Sequence, residues 1–407
     1  MDVLSRRAFL GGGAAGLAVP LSAHAANESE ADLIDRAMDG INPDTFVDVH
    51  NHVVGMGHGN TGCAVHPDMS DAMGHPLNWI RFRSYAKASG VRNMDQVDQE
   101  FMAVLKQRVE AMPHRGKALL MAFDQVYGED GQARPEDTIF HVPNDYMFKT
   151  TTLSDRFAGC ASVHPYRNDA VEALHRVADQ GAVAIKWLPN AMWIDPANPM
   201  CDAAYEVMAK RKLTLISHGG EEQAVPSEHT QEFGNPLRLR RALEAGVTVV
   251  VAHCASHGNA MDLDHPTQRP TPAFDLFLRL MDDPRWEGQL YGEISAILLL
   301  NRVRGVADTL LRRRDLHHRL VHGSDYPIPG VDPLINLFQL WSLGLIQWKD
   351  RAGLSSLFGQ NPLLGDFVLK RVLTVDGGPP TGFPPSVFGP DPSVFPLLKR
   401  PETDPAG

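Results

Sequence analysis

The chain has 407 residues, 43% of them hydrophobic and 21% charged, with a formal charge of −11. That balance excludes wholesale disorder, and the acidic charge lacks the basic footprint of a nucleic-acid binder. Four cysteines (Cys63, Cys160, Cys201, Cys254) without CxxC spacing exclude a zinc ribbon and a disulfide scaffold, and no apolar run long enough for a membrane span occurs beyond the N-terminus.

Residues 1–25 read as an address. Ser5-Arg6-Arg7-Ala8-Phe9-Leu10 sets adjacent arginines before a Gly/Ala-rich apolar run (8–19), and Ala23-His24-Ala25 offers a small-residue cleavage site. This resembles a twin-arginine export signal. It implies the twin-arginine export machinery as a partner, a periplasmic location and a mature N-terminus near Ala26.

After an acidic amphipathic stretch (28–38) come eight short apolar runs: 45–54, 117–124, 158–164, 182–188, 213–218, 247–253, 289–295 and 318–325. Each suits a strand buried on both faces. Amphipathic helices are expected at 169–181, 202–212 and 235–246, with Gly181 and Gly246 at their C-caps. Strand and helix alternating eight times predict an α/β fold, a (β/α)₈ TIM barrel over residues 26–373.

Two insertions interrupt the repeat. Residues 55–116 contain a Gly/His/Met-rich loop and a helix-like segment at 94–112, and residues 125–157 separate the second and third strands. Both come after a strand's C-terminal end, so they are expected over the barrel mouth. The tail, 374–407, is too rich in proline for a regular helix or central strand. Two outcomes are open for it: disorder, or anchoring through Phe383, Phe388 and Phe395, with subunit contact in a homo-oligomer as a further use.

Strict alternation puts Asp48, His50 and His52 on one inward face of the first strand. His218, His253 and Asp325 end the fifth, sixth and eighth runs, where barrel enzymes carry their working residues. Imidazoles with one carboxylate form an N/O set suited to Zn²⁺ first, with Mn²⁺, Fe²⁺ or Co²⁺ also compatible. A lone histidine is more often structural than ligating; the joint placement on four strand ends is what points to a metal.

The segments FVDVHNHVVG, SVHPYR, GAVAIKWLPN, LISHGGEE, VVVAHCASHG, HGSDYPIPG and GQNPLLG together resemble the amidohydrolase superfamily. The likeness is to its branch of aminocarboxymuconate-semialdehyde decarboxylase, resorcylate-type decarboxylases and pyrone-dicarboxylate lactonase, over residues 44–372. The resemblance implies one divalent metal on His50, His52, His218 and Asp325, with His253 beside it as an acid/base or electrophilic group. Lys186 falls where related binuclear enzymes carry a carboxylated lysine bridging two metals; the single-metal branch favours an unmodified lysine contacting substrate or a carboxylate such as Glu221, Glu222 or Glu293.

His164 and Arg167 after the third strand, and Asn301 and Arg302 after the seventh, are candidates to meet an anionic substrate group. Asp48 is expected to support the histidines by hydrogen bonding without ligating. The leading expectation is a metal-dependent hydrolase acting on a small-molecule amide, lactone or ester, with Asp325 and His253 catalytic and Lys186, His164 and Arg302 binding substrate. Non-oxidative decarboxylation of an aromatic or unsaturated acid is the alternative, and a non-catalytic exported binding protein is the second.

Overall fold

The structure, a computed structural model, describes residues 28–399 apart from residue 226. The expected export signal lies outside the described residues. Helix α1 (Glu30–Met38) opens the described chain, with the Ser29 hydroxyl accepting from Asp32 N–H at 3.2 Å and Glu30 and Asp32 in its first turn. Its buried Leu33 and Ala37 pack it against the late helices Arg351–Gln360 and Pro362–Val372.

All eight expected runs form strands: β1 (Val47–His52), β2 (Lys117–Met121), β3 (Phe157–Ala161), β4 (Ala182–Trp187), β5 (Thr214–His218), β6 (Val249–Ala252), β7 (Leu290–Glu293) and β8 (Leu320–Val321). They pair in chain order as one parallel sheet. The sheet closes on itself: Val49 N–H donates to His322 C=O at 3.0 Å, Asp325 N–H to His50 C=O at 2.9 Å, and His52 N–H to Tyr326 C=O at 3.0 Å. This is a (β/α)₈ barrel.

The expected helices form at Ala170–Asp179, Asp202–Arg211 and Arg240–Glu244, the last entered through a 3₁₀ turn at Pro236–Leu239. Gly181 and Gly246 adopt φ of +95° and +84°, the left-handed conformation that ends a helix at low steric cost. Within the first insertion stand two helices, α2 (Pro76–Ser89) and α3 (Val97–Glu110). The second occupies the segment expected to be helical. The first is not among the expected elements: its apolar residues fall on more than one side, so no single stripe announces it.

The two insertions meet over the mouth. Ala64–Val65 pairs antiparallel with Phe140–His141, joining the insertion after β1 to the one after β2. Asp98, fully buried on α3, clasps the first loop by accepting from the N–H groups of Met56, Gly57 and His58 at 2.8, 3.1 and 3.2 Å, and from the Thr61 hydroxyl.

Two apolar cores result. One lies between strands and helices; the other fills the barrel with Val47, Val49, Leu119, Met121, Ile216, Val250 and Val321. Val394, Phe395 and Leu398 of the tail join the second core and close the barrel at its N-terminal end, where Thr214 Oγ1 donates to Val394 C=O. Phe383 and Phe388 are fully buried in the outer core. Of the two outcomes open for the tail, anchoring is the one the described residues adopt. No helix among the described residues is long and apolar enough to cross a membrane.

Candidate metal centre

β1 does not alternate strictly. A register shift between Asp48 and Asn51 lets Val47 and Val49 fill the barrel below while His50 and His52 reach the site above. A bulge inserts one residue and reverses the facing of every later residue in the strand. The expectation that Asp48 shares the inward face is therefore corrected. Its carboxylate accepts from Ser324 N–H at 2.9 Å and His50 N–H at 3.1 Å, so it braces β1 against the segment after β8 through backbone groups.

Above the bulge, side chains from several strand ends converge. One ligand atom each from His50, His253 and Asp325 lies within 4.8 Å of the other two. His52 Nε2 is 2.9 Å from Asp325 Oδ1, and the same oxygen is 3.5 Å from His50 Nε2. The His218 ring lies 5.2 Å from the His253 ring, and its Nε2 is buried with no hydrogen-bond partner among the described residues. His253 and Asp325 both hold positive φ, +58° and +60°, a conformation costly for residues with a Cβ and concentrated at functional positions.

A fully buried carboxylate, Glu293 at the end of β7, organises two of the histidines. Its Oε2 lies 3.0 Å from His50 Nδ1, 2.7 Å from the Ser295 hydroxyl and 3.3 Å from His253 N–H, while Oε1 accepts from Ser295 N–H. An oxygen meeting three donors fixes His50 as the Nδ1–H tautomer, with the Nε2 lone pair directed toward Lys186 and Asp325. Ser295 Oγ, having donated to Glu293, accepts from His253 Nδ1–H at 2.7 Å, so His253 also presents a bare Nε2. Glu222 Oε2 lies 3.4 Å from His218 Nδ1, a carboxylate beside the third imidazole. Burial pushes His50, His218 and His253 well below the usual histidine range, keeping them neutral, and pushes Glu222 and Glu293 up. Neutral imidazoles with oriented lone pairs, an orphaned buried Nε2 and a carboxylate form a donor set that fits a divalent cation.

Lys186 Nζ lies 3.2 Å from His50 Nε2, and burial lowers its basicity. Arg302 is buried beside the site with no ion pair among the described residues; its Nε has no partner and Nη1 reaches only Ser256 Oγ at 3.4 Å. Both line a cavity of about 400 Å³ whose floor is the histidine cluster and whose walls include Val54, Phe123, Ile139, Leu188, Met192 and Leu299. The site thus offers a cationic fork inside an apolar chamber.

Of the residues the sequence singled out, His50, His52, Lys186, His218, His253, Arg302 and Asp325 all reach this cavity. His164 does not. Its Nε2 is 2.7 Å from Met192 C=O, its Nδ1 accepts from Tyr166 N–H at 3.1 Å, and both ring nitrogens are spent on backbone. Arg167 is likewise committed, to Asp124 and Asp169. Sequence reasoning missed Asp124, which lines the cavity at the end of the second apolar run, and Tyr85 of α2, which enters from the insertion. Glu222 and Glu293 were expected only as partners for Lys186; an acid inside an apolar strand was the signal that Glu293 had a task.

No protein-family model matches this chain, and no curated protein matches it. Solved structures do. An uncharacterized Tim-barrel protein from Bordetella bronchiseptica is 15% identical with a TM-score of 0.46, covering 79% of this chain and 99% of that one. A probable 2-pyrone-4,6-dicarboxylic acid hydrolase from Acinetobacter baumannii is 14% identical with a TM-score of 0.42, covering 79% and 95%. 5-Carboxyvanillate decarboxylase from Sphingomonas paucimobilis is 12% identical with a TM-score of 0.44, covering 72% and 92%. Likenesses at this level assign no activity to the chain; the barrel stands on its own strand order and hydrogen bonds.

Proposed function

We propose that the chain is a divalent-metal-dependent enzyme of the amidohydrolase superfamily that hydrolyses an amide, lactone or ester bond in a small molecule. The observation that carries this reading is the convergence of His50, His253 and Asp325 ligand atoms within 4.8 Å on the floor of the cavity. His52 and His218 stand beside them. Zn²⁺ is the first candidate, and Mn²⁺, Fe²⁺ and Co²⁺ suit the same donors.

A divalent cation held by these residues supplies Lewis acidity and lowers the pKa of water. Asp325 Oδ1 takes a proton from the attacking water and passes it to the leaving group, with His52 Nε2 orienting the carboxylate at 2.9 Å. His253, its ring held by Ser295 and Glu293, presents its bare Nε2 beside Asp325 as a second acceptor for that same proton on its way to the leaving group. Arg302 forks a substrate carboxylate, and the apolar walls exclude water from the pairing.

Arg302 also favours a second reading. A buried guanidinium in no direct ion pair among the described residues, its Nε without a hydrogen-bond partner, suits the retained or departing carboxylate of an aromatic acid, so the same site would support non-oxidative decarboxylation. The metal-loaded protein, offered a panel of lactones, esters, amides and aromatic acids, separates the readings: ring-opened or cleaved product supports hydrolysis, and CO₂ release supports decarboxylation. Asp325→Asn is expected to abolish either turnover while leaving the fold intact. Undiminished turnover in that variant removes Asp325 from the mechanism, and no turnover with bound ligand supports a binding protein. We also propose that residues 1–25 direct the folded chain to the periplasm; an exported protein whose first residue is Met1 contradicts this.

A further inference from the structure

We propose that α2 is a membrane-docking helix whose occupant is the anionic surface of a lipid bilayer. The helix stands in the first insertion with one face over the cavity, to which it contributes Phe82, Tyr85 and Ser89. Its opposite face is exposed among the described residues. Met73 just before the helix and Leu77 within it are 95% and 76% exposed, the two most exposed large apolar side chains among the described residues, and Ile80 is 54% exposed. Leu77, Ile80, Arg83 and Lys87 succeed one another at spacings of three, three and four, so they form one line along the helix. The line is apolar in its first half and cationic in its second.

Charge selects the occupant. The chain is acidic overall, yet α2 carries Arg81, Arg83 and Lys87 and no acidic residue. Arg81 lines the cavity, whereas Arg83 and Lys87 are exposed on the outer line and form no ion pair among the described residues, Arg83 lying 5.3 Å over the ring of Trp79. Asp71, close before the helix, is occupied by the N–H groups of Met73 and Gly74. Apolar side chains beside uncompensated cations on an exposed helix suit a headgroup layer, where the first enter the acyl boundary and the second meet lipid phosphates. Two-fold pairing of α2 with its own copy would lay Arg83 and Lys87 against the same cations or against Leu77 and Ile80, leaving four cations without counter-charge.

Co-sedimentation of the full chain with vesicles tests this. Vesicles of equal parts phosphatidylglycerol and phosphatidylcholine are expected to bind the protein; pure phosphatidylcholine is expected to bind at least about tenfold less, and high salt to weaken the anionic binding by a similar factor. Leu77→Asp/Ile80→Asp and Arg83→Glu/Lys87→Glu are each expected to lower binding at least about tenfold with an unchanged melting temperature. Residues 1–25 are identical in parent and variants, so the difference reads α2. The proposal is overturned by equal binding to neutral vesicles, by variants that bind like the parent, or by no binding at all. It is also overturned if the parent is a dimer that Leu77→Asp/Ile80→Asp dissociates, which gives the face to a second copy.

Discussion

Glu293→Gln tests whether one buried carboxylate sets the histidines that face the cation. In the parent, Glu293 Oε2 meets His50 Nδ1 at 3.0 Å, Ser295 Oγ at 2.7 Å and His253 N–H at 3.3 Å. Glutamine keeps the volume but replaces one acceptor oxygen with an NH₂. With its oxygen retained for Ser295 N–H, that NH₂ confronts His50 Nδ1–H and the Ser295 hydroxyl, donor against donor. The easiest relief is a switch of His50 to its Nε2–H tautomer, which turns a proton toward the cation site and withdraws the lone pair. Loss of a partner behind a ligating histidine weakens metal binding about 10–100-fold, or about 1.4–2.7 kcal/mol. Titration of the metal-free protein with Zn²⁺ against a competing chelator measures this, and imidazole nitrogen NMR reads the tautomer directly. A folded Glu293→Gln protein that binds Zn²⁺ within about threefold of the parent, with His50 still protonated at Nδ1, would show that Glu293 does not set the ring.

Two further perturbations address the fold around the site. Phe395→Ala removes a tail ring that is 1% exposed and closes the barrel floor, and is expected to cost about 3–5 kcal/mol in denaturant unfolding while metal stoichiometry is unchanged. Loss of less than about 1 kcal/mol would show that the floor does not depend on the ring. His164 is buried and neutral, its pKa pushed down to about 4 by desolvation. The unfolded chain, titrating near 6.5, binds the proton first, so this residue's contribution is present above about pH 6.5 and is lost as pH falls toward 4. His164→Gln removes that dependence, and its stability relative to the parent is expected to rise by about 1.4 kcal/mol per pH unit on acidification through this window. A constant difference across the window assigns the proton uptake elsewhere.

The barrel was legible because each of its strands is a short, mainly apolar run, and the structure returns all eight at those positions. The convergence of His50, His52, His218, His253 and Asp325 came from their place at strand ends, which topology brings to one rim whatever the loops do. What alternation alone could not show was the bulge in β1. One inserted residue reverses facing, and it sent Asp48 to the backbone while keeping both histidines inward. His164, which ends the third run, was read apart from the metal histidines as a candidate to meet an anionic substrate group; its place was decided by a carbonyl, Met192 C=O, that no side-chain pattern announces. α2 and its Tyr85 were invisible for a related reason. A helix that roofs a cavity on one face and leaves apolar residues exposed on the other shows no stripe. The tail's phenylalanines marked anchoring points, but only closure of the barrel reveals that its open end is what Phe395 fills.

Whether these side chains share a cation is decided by elemental analysis of protein purified without chelator, joined to anomalous diffraction at the absorption edge of whatever metal is found. One divalent ion per chain is expected, its anomalous peak lying among His50, His253 and Asp325 with an imidazole of His52 or His218 in reach. A metal-free protein that stays empty after soaking in zinc salt, or an ion bound only at a site remote from these side chains, would contradict the assignment.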